Sequence, residues 1–215
     1  MTTKTLLGFA VALAAAMPLW AASITVENFS FELPGTGKVR AWNGENGVDI
    51  PGWASDTTAA DSGVESDWPG SSEGSWAGFL MGTDPAAWQL TGHTIAAGDT
   101  FTLLVDAHNN WSATTPAHLT MSLYYDDAGS RVTAGSSTVE LTDSFAQYSL
   151  AFDSGTLPGS IGKNIGIMLQ NGATTSDSWI GIDNVRLDVA AIPEPGTVVL
   201  LLGGLAALGA VRRRR

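Results

Sequence analysis

Gly181-Ile182-Asp183-Asn184-Val185-Arg186-Leu187, near the end of the chain, and Val26-Glu27-Asn28-Phe29-Ser30-Phe31-Glu32, near its start, are both short, branched or aromatic, and punctuated by Asn and an acid. Both read as strands. Alternation over Ile24–Glu32 predicts Ile24, Val26 and Asn28 on one face and Phe29 and Phe31 on the other. The closing piece sits inside a longer β-prone run, Trp179–Val189. Between them lie Trp76–Met81, Phe101–Ala107, Leu119–Tyr125, Gln147–Phe152 and Asn164–Leu169, all short and rich in β-formers. Turn chemistry separates the runs: Ala97-Gly98-Asp99, Asp126-Asp127-Ala128-Gly129, Ser154-Gly155, Pro158-Gly159 and Asn171-Gly172. No segment between 23 and 190 carries a helical period of helix length free of Gly and Pro. Seven to nine short strands with Gly-rich turns predict an all-β sandwich of jelly-roll type. The stretch Pro34–Gly74, irregular and rich in Gly, Asp, Ser and Trp, predicts long loops over one face or end.

The termini have a different character. Lys4, the apolar stretch Leu6–Met17 and the small residues of Leu19-Trp20-Ala21-Ala22-Ser23 form a signal peptide over residues 1–22, cut by signal peptidase after Ala21 or Ala22. At the other end stand Pro193-Glu194-Pro195, the uncharged apolar run Thr197–Val211, and Arg212-Arg213-Arg214-Arg215. That run has 15 residues, against roughly 17–25 for a full bilayer crossing, and snorkelling Arg stems would lengthen it. Four arginines would hold its end on the cytoplasmic side. Tripeptide, apolar span and Arg cluster, in that order over residues 191–215, resemble the PEP-CTERM sorting signal of Gram-negative bacteria. The resemblance implies an exosortase substrate: an inner-membrane-anchored precursor, cut near the tripeptide and delivered to the cell surface or extracellular matrix.

The domain between these ends, residues 23–190, carries 5 basic residues against 20 acidic ones (the chain's 21 less Glu194), a net of −15. Phosphate binding needs clustered Lys and Arg, so nucleic acid is not a partner. Cysteine is absent, which excludes disulfides, thiolate metal sites and cysteine nucleophiles. A metal staple, if present, would have to be held by oxygen.

With Ile50-Pro51-Gly52-Trp53 following the first strand, the two terminal pieces resemble the jelly-roll carbohydrate-binding modules and galactose-binding-like domains. Such domains open on Asn-x-Ser-Phe-Glu, pass a Gly-Trp and close on Asp-(Asp/Asn)-Val. In that family a calcium ion sits where the first and last strands meet. The resemblance therefore implies a structural calcium held by Glu32 and Asp183, carboxylates about 150 residues apart in sequence, within the six to eight oxygens this ion takes. The alternative is that both acids cap strand ends or pair with Lys38 or Arg186.

Tryptophan points to a ligand. Seven remain beyond Trp20, and Trp53 and Trp179 read as core. Trp42, Trp68 and Trp111 lie among Asn, Gly, Ser and Asp, where flat faces stack on a pyranose and neighbouring polar groups take its hydroxyls; the alternative is loops that bury their own tryptophans. His108 and Asn109, in His108-Asn109-Asn110-Trp111 after a strand, are candidate pocket residues. No catalytic constellation stands out. Asp126-Asp127 reads as a hairpin turn because adjacent strand residues face opposite ways, and His93, His108 and His118 have no metal-ligand spacing. The expectation is an exported, non-enzymatic protein that binds extracellular polysaccharide. Alternatives are a self-associating matrix protein and an enzyme on the same fold, either glycan-active or akin to the calcium-binding cyclases of indole-terpenoid substrates, which share both strand motifs.

Overall fold

The computed structural model describes residues 21–44, 48–56, 61–68, 70–111 and 116–191. Among these no helix is long and apolar enough to cross a membrane; the expected signal peptide up to Trp20, the Pro-Glu-Pro tripeptide, the apolar span and the Arg tail lie outside them.

Among the described residues, eleven strands form two packed sheets. They are β1 (Ala21–Ile24), β2 (Val39–Arg40), β3 (Gly63–Glu65), β4 (Ala77–Met81), β5 (Ala87–Thr94), β6 (Asp99–Asn109), β7 (His118–Asp127), β8 (Ser130–Glu140), β9 (Ala146–Asp153), β10 (Asn164–Asn171) and β11 (Trp179–Ala191). The larger sheet runs β2-β3-β4-β11-β6-β9, with β1 also on β11; the smaller runs β5-β10-β7-β8, and all pairings are antiparallel. This is the expected jelly-roll sandwich. Its core is made by alternate residues of the facing strands: Phe101, Leu103, Val105, Ile180, Ile182 and Leu187 from one sheet, Leu119, Met121, Leu123, Ile165, Ile167 and Leu169 from the other, all fully buried.

β7 and β8 join through Ala128-Gly129, both at positive φ, with Gly129 N donating to Asp126 Oδ1 at 3.0 Å, so the Asp-Asp pair is the expected hairpin. The opening strand is shorter than expected. The chain leaves the sheet after Ile24, and residues 27–30 form a turn with Asn28 and Phe31 at φ 49° and 56°. Asn28 explains the break. Its side chain exchanges two 3.0 Å bonds with the Leu33 backbone, a local alternative to ladder pairing. Phe31 thereby turns inward onto Trp42 and Trp53, and Phe29 is left half-exposed.

The larger sheet's outer face is also covered, which strand alternation alone does not foretell. Leu80 and Ile180 face the core, so Phe79, Trp179, Gly181 and Asp183 face outward, yet Phe79 and Asp183 are fully buried. The cover is made by residues 66–68 and 70–76.

Candidate functional site: a tryptophan pocket on the larger sheet

Two acids hold that cover down. Asp183 Oδ2 accepts from Ser72 N (2.7 Å), Ser72 Oγ (3.2 Å) and Glu73 N (2.9 Å), while its Oδ1 accepts from Asn184 N (2.7 Å). Glu32 Oε1 accepts from Ser75 N (2.8 Å) and Trp76 N (2.9 Å). Gly74, at φ +69°, closes the grip: a Cβ there would stand 2.2 Å from Glu32 Oε1. Asp106 adds a third anchor, accepting from Ser72 Oγ and Asn184 Nδ2 at 3.0 Å each. Burial pushes the Asp183 carboxyl above the ordinary carboxylate range, and the hydrogen bonds from Glu73, Ser72 and Asn184 pull back against it.

The expected calcium pair is therefore brought to one segment. The N–H and O–H donors gather on Asp183 Oδ2 and Glu32 Oε1, whereas Asp183 Oδ1 takes a single bond and both of Glu32's bonds fall on Oε1, so each carboxylate keeps an oxygen able to face a cation. Among the described residues no three His, Asp or Glu side chains gather as a metal site. Hydrogen bonds from residues 72, 73, 75 and 76 join the two terminal pieces of the chain to one covering segment. A structural calcium at the remaining carboxylate oxygens would make EDTA lower the melting temperature by several degrees in calorimetry; an unchanged melting temperature on chelation would remove the metal. Lys38 binds Glu65, at 2.7 Å, rather than Glu32 or Asp183.

The pinned segment presents Trp68 to the outer face. Trp68 meets Trp179 edge to face at 5.6 Å and Phe79 at 6.2 Å, and Trp111, from the end of β6, closes the group at 6.4 Å from Trp68 and 6.3 Å from Trp179. Asn110 ties the two loops together, its N donating to Trp179 O (3.1 Å) and its Nδ2 to Trp68 O (3.4 Å). Lys38, Arg40, Glu65, Trp68, Trp111 and Trp179 line an open pocket of about 290 Å³. Its charged wall is built on aromatics: Lys38 Nζ lies 4.6 Å above the Phe79 ring and 5.8 Å from that of Trp68 while it binds Glu65. Trp111 is 50% and Trp68 37% exposed, so indole surface stands free to meet a ligand.

Of the expected ligand residues, Trp68 and Trp111 meet in this pocket. Trp42 does not. It is fully buried, 5.7 Å from Phe31 and 6.1 Å from Trp53, because the positive φ of Ala41 turns the chain inward ahead of it. His108 is buried on the outer face against Phe145 (4.1 Å), its ring lying over Gly181, and is not among the residues lining the pocket. Asn109 acts from behind, its Oδ1 accepting from Trp111 N at 3.2 Å. Trp53 is core, as expected, whereas Trp179 is half-buried and forms the pocket floor. Lys38, Arg40 and Glu65 escaped the sequence reading. Arg40 and Glu65 lie on the short strands β2 and β3 and Lys38 just ahead of β2, all inside a stretch read as loop, and nothing in their spacing marks a site.

Comparison with known proteins bears on both parts of the chain. Residues 191–215 match the PEP-CTERM protein-sorting motif, which marks the protein for export and C-terminal processing by an exosortase. No curated protein matches the chain. Among solved structures, a Stig cyclase, Fisc from Fischerella sp. TAU, in complex with (3Z)-3-(1-methyl-2-pyrrolidinylidene)-3H-indole, is 20% identical, with a TM-score of 0.62 over 81% of this chain and 100% of that one. The CBM22-1 xylan-binding domain of Paenibacillus barcinonensis Xyn10C is 12% identical, with a TM-score of 0.51 over 85% of this chain and 100% of that one. At such identities the likeness is one of fold. Residues 22–188 match the model described as HpiC1 cyclase, and the chain belongs to this HpiC1-like family.

Proposed function

We propose that this is an exported protein, anchored in the inner membrane as a precursor and released to the cell surface or extracellular matrix, that binds polysaccharide in the Trp68–Trp111–Trp179 pocket. The observation that carries the reading is the meeting of three tryptophans with the Lys38–Glu65 pair in one open pocket. Indole faces stack on the C–H face of a sugar, while an ammonium and a carboxylate give and take hydroxyl hydrogen bonds. The charged pair would fix orientation and the aromatics would supply contact area. An enzyme needs more. The pocket's carboxylate, Glu65, is engaged by Lys38, and Asp183 is turned onto the amides of the covering segment, so neither is placed to hand a proton to a bound molecule.

Family membership favours a second reading, ring-forming chemistry on an indole compound in the same pocket. The two readings part in one experiment. Incubated with a polysaccharide panel and with indole-bearing terpenoid substrates, the purified protein is expected to retain at least one polysaccharide, to release no reducing ends, and to leave the indole substrates unchanged. Turnover of an indole substrate without polysaccharide retention would replace the binding reading with the enzymatic one.

A further inference from the structure

The first and last strands bring both ends of the domain to one place. β1 enters the larger sheet with Ala21 opposite Ala190, and β11 leaves it with Ala191 opposite Asp99 on β6. The expected signal-peptidase cut after Ala21 or Ala22 thus falls beside the point where the tail departs. Only residues 192–196 separate β11 from the apolar run that begins at Thr197. Fully extended, such a stretch reaches at most about 18 Å, so an anchor in that run holds this end of the sandwich close to the bilayer.

Three turns complete that end: 95–98 between β5 and β6, the β7–β8 hairpin, and 154–163 between β9 and β10. They are tied together, Gly162 N donating to Ile95 O at 2.8 Å and Lys163 Nζ binding Asp127 at 2.7 Å. Although the domain carries a net −15, little free charge stands here. Residues 154–162 contain no charged side chain. Asp99 accepts from Ala96 N, Asp126 from Gly129 N and Asp153 from Gly155 N, while Asp127 is held by Lys163. Ile161, by contrast, is 40% exposed. The tryptophan pocket lies at the other end of the same strands. The β6–β11 ladder runs from Ile180 opposite Asn109 to Ala191 opposite Asp99, ten residue steps along β6 or about 33 Å. Trp179 precedes Ile180 and Trp111 follows Asn109, so both rings stand at the far end of that ladder.

We infer that the end of the sandwich built from these three turns is the face the precursor sets against the membrane, and that the tryptophan pocket is carried about 30 Å further out, open to polysaccharide before the tail is cut. This rests on the anchored, glycan-binding reading given above. Lengths decide which end comes down: a tether of about 18 Å cannot span the roughly 33 Å that would bring the pocket end to the lipid. Charge agrees. Pressing a free carboxylate against a bilayer strips water from it at a cost, and the acids of this end already use acceptor sites on their own turns. Ile161 presents apolar surface to the interface instead. Cutting the tail then changes where the protein goes and leaves the pocket as it was.

The chain has no cysteine, so one labelled cysteine reports height above the lipid. The full-length chain is reconstituted in phosphatidylethanolamine–phosphatidylglycerol vesicles whose headgroups carry an energy-transfer acceptor, and is labelled from outside with an impermeant maleimide dye. Ser130→Cys stands in the β7–β8 hairpin and Ser144→Cys in the turn after β8, where Asn109 N donates to Thr142 O; both positions are exposed. With about 30 Å between the two levels, the dye at 130 is expected to be quenched at least about twofold more than the dye at 144. Affinity for the polysaccharide that the panel identifies should agree within about twofold between vesicles and detergent. Equal or reversed quenching, a chain that does not float with the vesicles, or an affinity about tenfold or more weaker on vesicles would overturn the inference. The expected quenching with no polysaccharide retained in either state would remove the glycan reading and leave the orientation standing.

Discussion

Asp183→Ala is expected to lower stability by about 3 kcal/mol or more, and to abolish ligand binding although residue 183 lies outside the pocket lining. Asp183 is fully buried on the sheet's outer face and receives four hydrogen bonds, three of them from Ser72 and Glu73. Alanine would leave those donors facing apolar surface and would free the covering segment that holds Trp68 against Trp179. For a domain of this size, that loss corresponds to about 6–12 °C in melting temperature. Asp183 should also leave a mark on the pH dependence of stability. Burial raises its carboxyl from the usual 3.8, so the folded chain binds this proton more tightly than the unfolded one. Its contribution is therefore greatest below about 3.8 and falls as pH climbs through the raised native value. The difference in unfolding free energy between wild type and Asp183→Asn, followed by urea denaturation across that range, isolates this slope from those of the other carboxylates. A flat difference would show that burial does not govern this group.

Trp42→Ala is expected to be equally severe for a different reason. Trp42 is fully buried among Phe31, Trp53 and the strand carrying Gly78, whose missing side chain makes room for it: a Cβ there would stand 3.0 Å from Trp42 Cη2. Removing so large a buried ring costs about 3–5 kcal/mol through lost transfer energy and the cavity left behind. The midpoint of urea unfolding should fall accordingly, while the affinity of the molecules still folded should be unchanged, because this ring never meets the ligand. A Trp42→Ala chain of wild-type stability and reduced affinity would move Trp42 back to the surface.

That contrast shows what was legible in the sequence and what was not. Strand alternation and turn chemistry found the sandwich, because both are local properties: the hairpin at Asp126–Gly129 and the long closing strand are where the residues say they should be. Strand β8 escaped, since its alternation of Ser, Thr and Val around a bulge lacks the apolar period of a core strand. The opening strand was overread because Asn28 prefers its own side-chain bonds to the ladder. At the site, Trp68 and Trp111 were recognisable from their polar surroundings, but the same surroundings misplaced Trp42. Polarity of neighbours in sequence does not say which loop folds back over a core. Glu32 and Asp183, read in the sequence as ligands of a structural calcium, take hydrogen bonds from backbone amides of a segment that no motif marks. Lys38 and Glu65 required the pairing of β2 with β3 to become neighbours.

The central claim is that Trp68, Trp111 and Trp179 bind a glycan, and affinity electrophoresis tests it most directly. In gels containing the polysaccharide that the panel identifies, the wild-type protein should be retarded. Trp111→Ala should migrate as if the polysaccharide were absent, with a melting temperature within about 2 °C of wild type, as expected for a half-exposed side chain. Equal retardation of wild type and the Trp111→Ala variant, both folded, would contradict the claim and place any glycan contact elsewhere on the molecule.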